Sequence, residues 1–473
     1  MGWLRYEDFE LKIERAGDGY RAEVLRSPGG EALWQFALPL SWDHIERLIE
    51  RIGPQSHSPE IAAARELGST LFESVFAGDI RACFRVSLDR VSEKEDIGLR
   101  IKLLLEQAPE LADLPWELLL DESSGRFLSL SVETPVVRYV QLPQRVPPLR
   151  VELPLEILVM VSSPSDYPAL DVERERELLE QALQPLRDRN QVRVTYVESA
   201  TLSELHRTLR EQPFHVFHFI GHGGFDRATK KGILVLKDEQ GQGQRVHGHR
   251  LATVLQNRGT LHLAVLNACA GARISRADPY AGVATTLIKQ GVPAVIAMQF
   301  EITDKAALAF ADALYSAMVA GLPVDAAVAD ARTAIYALAS DIEWGTPVLY
   351  MRAEDGVLFD AVVDTVSRQD DQLAPETRTP VLSREQKNQL VDHLLACRSV
   401  MDPDKRGLMI DQLDRTVTIR ISRHVDAHSH LTEMVETCND HECLESLLEA
   451  VRRVEGSTRP MRAVETFLTT VKD

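Results

Sequence analysis

The chain has 473 residues, 44% of them hydrophobic and 26% charged, with a formal net charge of -18. That length and composition suit two or three compact domains, and the acidity disfavours a phosphate backbone as ligand, so nucleic acid is not expected as a direct partner. The five cysteines, Cys83, Cys269, Cys397, Cys438 and Cys443, are few, odd in number and unevenly spaced, which argues against a secreted disulfide scaffold and suits a reducing compartment. The N-terminal MGWLRYEDFELKIERAG carries no signal-like apolar run, and no stretch approaches the roughly 20 apolar residues of a membrane span. A cytoplasmic protein without membrane contact is expected.

In chain order, FELKIERA, YRAEVLRS and ALWQFALPL show partial alternation between the turn signals AGDG and SPGG, which predicts a small β-rich lobe followed by helix. Strand-like runs then flank the apolar block around Leu114, Pro115, Trp116 and Leu118. The proline-punctuated QLPQRVPPLRVELP marks a boundary near residue 150. Beyond it LEILVMVSS, VRVTYVES, FHVFHFIG, LHLAVLNAC, PAVIAMQF and VLYMRA alternate with helix-length segments, the pattern of a mainly parallel sheet with helices on both faces. Residues 366–382 are polar, aperiodic and contain two prolines, hence a linker. Helical periodicity returns in QKNQLVDHLLACRSV, LTEMVETC and LESLLEAVRRV. The expected organisation is a supporting lobe (1–150), an α/β domain (151–365), the linker (366–382) and an all-α module (383–473).

Two strand ends carry the chemistry. FHVFHFI runs into Gly221, His222, Gly223 and Gly224, and LHLAVLNA runs into Cys269. Reactive groups in open α/β sheets collect beyond the carboxyl ends of parallel strands, so neighbouring strands ending in His and Cys would bring the two together. An imidazole in reach of a thiol withdraws its proton as sulfur attacks a carbonyl carbon, then protonates the leaving amine. Glycines beside the histidine let backbone N–H groups approach a developing oxyanion. The catalytic pair is therefore His222 and Cys269, with the N–H groups of Gly223 and Cys269 as oxyanion hole.

A lone cysteine is usually a small core residue, but the strand-end histidine and the glycines favour a nucleophile. His218 and His222 have an HxxxH spacing, yet on a strand those four residues span about 13 Å, too far to share one ion. His218 is expected to be hydrogen-bonded in the core or behind the site. No GxSxG accompanies HGGF, which excludes a serine elbow, and no GxxxxGK[ST] is present for phosphate. His424, His428, His430, Cys438, His441 and Cys443 cluster in the tail without a usual zinc spacing. No metal or cofactor is expected. The segments Phe225–Val246, with Arg227, Lys230 and Lys231, and Gly271–Gly282, with Arg273, Ile274, Ser275, Arg276 and Asp278, are expected to be solvated loops beside the site, open also to substrate contact or self-cleavage.

HFIGHGG, LNACAGA and DPYAGVATTLIKQGVPAVIAMQF, with LPWELL and PVVRYV upstream, resemble the CHAT family of caspase-like, separase-related cysteine peptidases over roughly residues 60 to 352. The resemblance implies a caspase-hemoglobinase fold, and a His–Cys dyad that maps onto His222 and Cys269. Two residues before the nucleophile stands Asn267, where some relatives carry an acid that selects basic P1 side chains; this departure removes the simplest basis for a basic P1. The loop after the first strand helps build S1 in such folds, making Asp166 a candidate, with a turn or cap aspartate as the alternative. Residues 1–150 are read as support for the peptidase sheet, a degenerate peptidase half being one form of it.

The tail segments LVDHLLACRSVMDPDKRGLMIDQL, CNDHECLESLLEAVRRVEG and MRAVETFL resemble effector-associated domain 2. That likeness implies recruitment by a sensor or adaptor with a matching domain in a bacterial conflict system. The combined expectation is an endopeptidase effector acting on partner proteins. The alternatives are a catalytically silent scaffold working through the tail, and an acyl transferase using the same dyad.

Overall fold

The computed structural model describes residues 5–52, 61–94, 96–144, 146–226, 228–229, 231–256, 259–269, 281–338, 342–362, 384–402, 405–406, 426–440 and scattered positions from 447 to 467. The strands are β1 (Arg5–Ala16), β2 (Gly19–Arg26), β3 (Ala32–Phe36), β4 (Ile97–Gln107), β5 (Leu120–Asp121), β6 (Arg126–Phe127), β7 (Val136–Tyr139), β8 (Leu149–Glu152), β9 (Leu155–Val161), β10 (Val192–Tyr196), β11 (Val216–Asp226), β12 (Lys231–Lys237), β13 (Gly243–His247), β14 (Leu263–Cys269), β15 (Ala294–Met298), β16 (Pro347–Met351) and β17 (Phe359–Val362). The helices are α1 (Trp42–Ile52), α2 (Ile61–Val75), α3 (Gly78–Ser92), α4 (Pro109–Ala112), α5 (Val172–Asp188), α6 (Leu202–Glu211), α7 (Gly248–Leu255), α8 (Ala281–Lys289), α9 (Asp304–Val319), α10 (Val324–Ala337), α11 (Arg384–Leu395), α12 (Arg398–Met401) and α13 (Ala427–Asp440).

A 13-stranded sheet runs in the order β10-β9-β11-β14-β15-β16-β7-β4-β1-β2-β3, with β12 and β13 attached beside β11. From β10 to β15 all neighbours are parallel, β15 and β16 are antiparallel, and β16, β7, β4 and β1 are again parallel. Two parallel blocks therefore run in opposite directions, and their carboxyl ends lie at opposite edges of one sheet. Residues on both sides of position 150 belong to this sheet and to one compact unit, Met1–Thr365; Val366–Asp473 forms a second.

The central strands are largely apolar because both faces are covered, with His218, His222 and Asn267 as exceptions. Ile157 and Val159 of β9 join the core that contains Leu183 of α5 and Phe310 of α9, while Leu158 and Met160 face the core holding Leu205 of α6, Leu251 of α7 and Leu287 of α8. Helix starts follow the capping rule. Asp171 accepts from Arg174 N–H (3.0 Å) to open α5, Thr201 from Glu204 N–H (3.1 Å) to open α6, and Thr303 from Ala306 N–H (3.4 Å) to open α9.

The LPWELL motif lies at the seam between the blocks. Trp116 Nε1 donates to Leu111 O (2.7 Å), and the buried Glu117 carboxylate accepts from Arg138 Nη2 (2.8 Å) on β7 and from Gln299 Nε2 (3.0 Å) just after β15. A second buried cluster crosses from β1 and β4 to α10. Arg100 pairs with Asp8 (2.7 Å) and Asp325 (3.0 Å), and Lys102 pairs with Asp8 (2.8 Å). Burial, then the Arg100 guanidinium, push the Lys102 ammonium below its usual range, and Asp8 opposes them.

The stretch from Phe225 to Val246, expected as a solvated loop, is instead largely a hairpin: β11 continues to Asp226, β12 returns antiparallel to it, and β13 pairs with β12. Ile233, Leu234, Val235 and Leu236 are buried. Four consecutive apolar residues on two covered faces make a strand the favourable solution, whereas a loop would leave them in water. In the second unit, Leu390, Leu394 and Cys397 of the α11 region pack with Leu431, Met434 and Cys438 of α13. Arg406 is fully buried there and donates to Val400 O (2.8 Å) and His430 Nδ1 (3.1 Å). Among the described residues no helix is long and apolar enough to cross a membrane.

Candidate active site

Strands β11 and β14 lie side by side in a parallel register that pairs Val216 with Leu263 at one end and His222 with Cys269 at the other. Side chains alternate along a strand, so His218, Ile220 and His222 stand on one face. Val265 and Asn267 share that face, beneath α5 and α9.

The two histidines of this face differ. His218 is enclosed, with Nδ1 2.9 Å from the Tyr315 hydroxyl of α9, and burial alone drops its pKa to about 4, leaving the ring neutral. His222 sits two pleat periods further along, 5% exposed, with Nε2 2.7 Å from the carbonyl oxygen of Pro168. A carbonyl only accepts, so Nε2 carries the hydrogen and Nδ1 keeps its lone pair in the neutral ring. The Tyr167 ring stacks on the imidazole at 5.6 Å between centroids and 29° between planes.

Backbone polarity at the strand end follows from pairing. Ser162 N–H donates to Ile220 O (2.8 Å), so the polar groups of Ile220 face β9. Alternation turns those of His222 the same way, toward β12, and those of Gly221 and Gly223 toward the β14 edge that ends at Cys269.

Asn267 and Asp166 are not brought together. Asn267 lines a small open recess shared with Gly221, Leu170 and Ile302 and bordered by Glu175 of α5 and Asp304 of α9. Burial, then the Asp304 and Asp171 carboxylates, push Glu175 above the usual carboxylate range. Asp166 is exposed, lies outside that lining, and accepts the Gly243 N–H at 2.6 Å. Sequence reasoning missed Tyr167, Pro168 and Glu175. A carbonyl acceptor has no side-chain signature, and Glu175 reads as a solvated helix-face charge until α9 is packed against it.

Arg227, Lys230 and the segment holding Arg273, Ile274, Ser275, Arg276 and Asp278 lie outside the described residues, as do His424, His441 and Cys443. Among the described residues no group of His, Cys, Asp and Glu could hold a metal ion.

Comparison with known proteins gives two family matches. A family model of the CHAT domain matches residues 63–360, and one of effector-associated domain 2 matches residues 391–469. No curated protein matches the chain. Two crystal structures of the Saccharomyces cerevisiae separase-securin complex, at 3.0 and 2.6 angstrom resolution, align with TM-scores of 0.32 and 0.33 at 14% and 15% identity. Each alignment covers 66% of this chain and 22% of the other, so the chain spans about a fifth of those structures' length.

Proposed function

Because the chain belongs to the CHAT domain family of caspase-like proteases, we propose that it is a cysteine endopeptidase in which His222 is the general base and Cys269 the nucleophile. The observation that carries the reading is the register pairing of His222 with Cys269 at the carboxyl ends of adjacent parallel strands, where the fold class collects reactive groups.

In this mechanism Nδ1 of His222 takes the Cys269 thiol proton while sulfur bonds to the scissile carbonyl carbon. The N–H groups of Gly223 and Cys269, at the end of that paired ladder, are the proposed oxyanion donors. The imidazolium returns its proton to the leaving amine, the C–N bond breaks, and a thioester remains. Water, deprotonated by the same ring, cleaves the thioester and restores the thiol. The contact from Nε2–H to the Pro168 carbonyl supports this polarity, because it leaves Nδ1 as the basic nitrogen. Asn267 is the proposed floor of a substrate recess, whereas the bond from Asp166 to Gly243 supports a loop-fixing role for that residue over a place in S1.

The tail's effector-associated domain 2 match supports docking to another protein. We read the partner as a sensor or adaptor with a matching domain in a bacterial defence system, whose binding brings the peptidase to its protein substrate. The test co-expresses candidate substrates and the sensor with wild type or Cys269→Ala and follows cleavage by mass spectrometry. Cleavage that needs Cys269 is expected. Equal biological output from both forms would sink the peptidase reading in favour of a scaffold.

A further inference from the structure

We infer that Tyr167 is a positioning residue for His222, clamped in place by the β12–β13 hairpin; the inference rests on the dyad reading above. The segment 165–168, between β9 and α5, touches the hairpin on one side and the histidine on the other. Toward the hairpin, Ser165 N–H donates to Gly241 O (3.0 Å) and Gly243 N–H donates to the Asp166 carboxylate (2.6 Å). Toward the site, Tyr167 stacks on the imidazole and Pro168 O takes the Nε2 hydrogen.

The Tyr167 ring has a fitted seat. A Cβ placed on Gly243 would lie 2.4 Å from Tyr167 Cε2 and 2.8 Å from Cδ2, so the ring occupies the space that any side chain at position 243 would need. The φ of Gly243 lies outside the left-handed region, so the glycine answers to this close approach and not to a turn. Arg245, also on β13, lies near Tyr167, and that proximity raises its already high guanidinium pKa. The ring thus lies between the His222 imidazole and the β13 backbone. The nearby charged groups are Arg245, Asp226 at the end of β11 with His247 3.7 Å away on β13, and Glu175 and Asp304 at the recess.

An imidazole fixed by one hydrogen bond can still swing about it. A ring stacked against its face removes that freedom and keeps Nδ1 aimed where a nucleophile must sit. Displacing the hairpin would carry off the seat of Tyr167 and the anchors of Asp166 and Ser165 together, releasing the histidine.

The test needs no substrate. Iodoacetamide alkylation of the full chain is followed at the Cys269 peptide by mass spectrometry across pH, for wild type, Tyr167→Leu, Tyr167→Phe, Gly243→Ala and His222→Ala. Tyr167→Leu and Gly243→Ala are expected to slow Cys269 alkylation at neutral pH by about tenfold and move its midpoint toward the ordinary thiol value of about 8.5. Tyr167→Phe, which keeps the stack, is expected to stay within about twofold, a rescue that a mere packing role for the hydroxyl end would not give. Profiles of Tyr167→Leu and Gly243→Ala that overlay wild type, beside an altered His222→Ala, would overturn the positioning role alone. An unaltered His222→Ala profile would overturn the dyad, and the inference with it.

Discussion

The two parallel blocks of the sheet bury charge and polarity to different ends. In the amino-terminal block Asp8, Arg100, Lys102, Glu117 and Arg138 are buried and bonded to one another or to carbonyls. In the carboxyl-terminal block His222 is nearly as buried, yet no described residue donates to its Nδ1. A fully bonded cluster locks two elements, whereas a buried base with one open lone pair remains able to react. Because the blocks run in opposite directions, the carboxyl strand ends of the amino-terminal block lie at the edge away from His222, which fits the proposal that this block supports the sheet.

The sharpest way to break this contrast is to exchange the effects. His222→Ala should lower kcat/KM by about 10³-fold or more while the melting temperature stays near wild type, measured on a substrate identified by Cys269-dependent cleavage. Arg100→Met should do the reverse. It leaves Asp8 and Asp325 buried with their guanidinium gone, a loss of about 3–5 kcal/mol read by denaturant unfolding, with kcat per folded molecule unchanged. A fall in kcat for folded Arg100→Met would show that the two blocks are coupled in catalysis.

A third prediction concerns His218, the enclosed histidine on the same strand as His222. Its folded pKa of about 4 lies below the unfolded value near 6.5, so the unfolded chain binds the proton more readily and stability falls as pH drops through that window. The full difference is about 3 kcal/mol, present above about pH 6.5 and lost by about pH 4. His215, lowered to about 4 by burial and then by His262, acts in the same direction. Denaturant unfolding across this range should show the slope, and His218→Gln should flatten it. A variant as steep as wild type would remove His218 from the acid response.

Much of the sheet was legible because its strands are short apolar runs that end in glycine or a chemistry-bearing residue. LEILVMV, FHVFHFI and LAVLNAC appear as β9, β11 and β14 at the expected places, and the local pattern extends to the register of His222 with Cys269. What was not legible depends on long-range pairing. The run GILVL between lysines reads as a loop only until β11 is seen to continue past His222 and give it a partner. Asp166 carries a charge suited to a pocket, but its geometry is set by a backbone N–H some 77 positions away. The reversal of strand direction between β15 and β16, which makes one sheet of two blocks, leaves no mark in composition at all.

The seam itself offers the smallest test. Gln299 follows β15 and donates from one nitrogen to Glu117 Oε2 (3.0 Å) and to Gly345 O (2.7 Å), linking the carboxyl-terminal block to the LPWELL motif. Gln299→Met preserves length and much of the packing but removes both bonds. Glu117 still keeps its charge partner Arg138, so no ion is stranded. The expected cost is about 1–2 kcal/mol of unfolding free energy, because Gly345 O loses a donor while Glu117 does not lose its cation. If the amino-terminal block only supports the sheet, this variant should unfold earlier in denaturant yet turn over substrate at the wild-type rate. A disproportionate drop in kcat at unchanged stability would mean that Glu117 and Gln299 transmit alignment across the seam to the strands that carry His222 and Cys269.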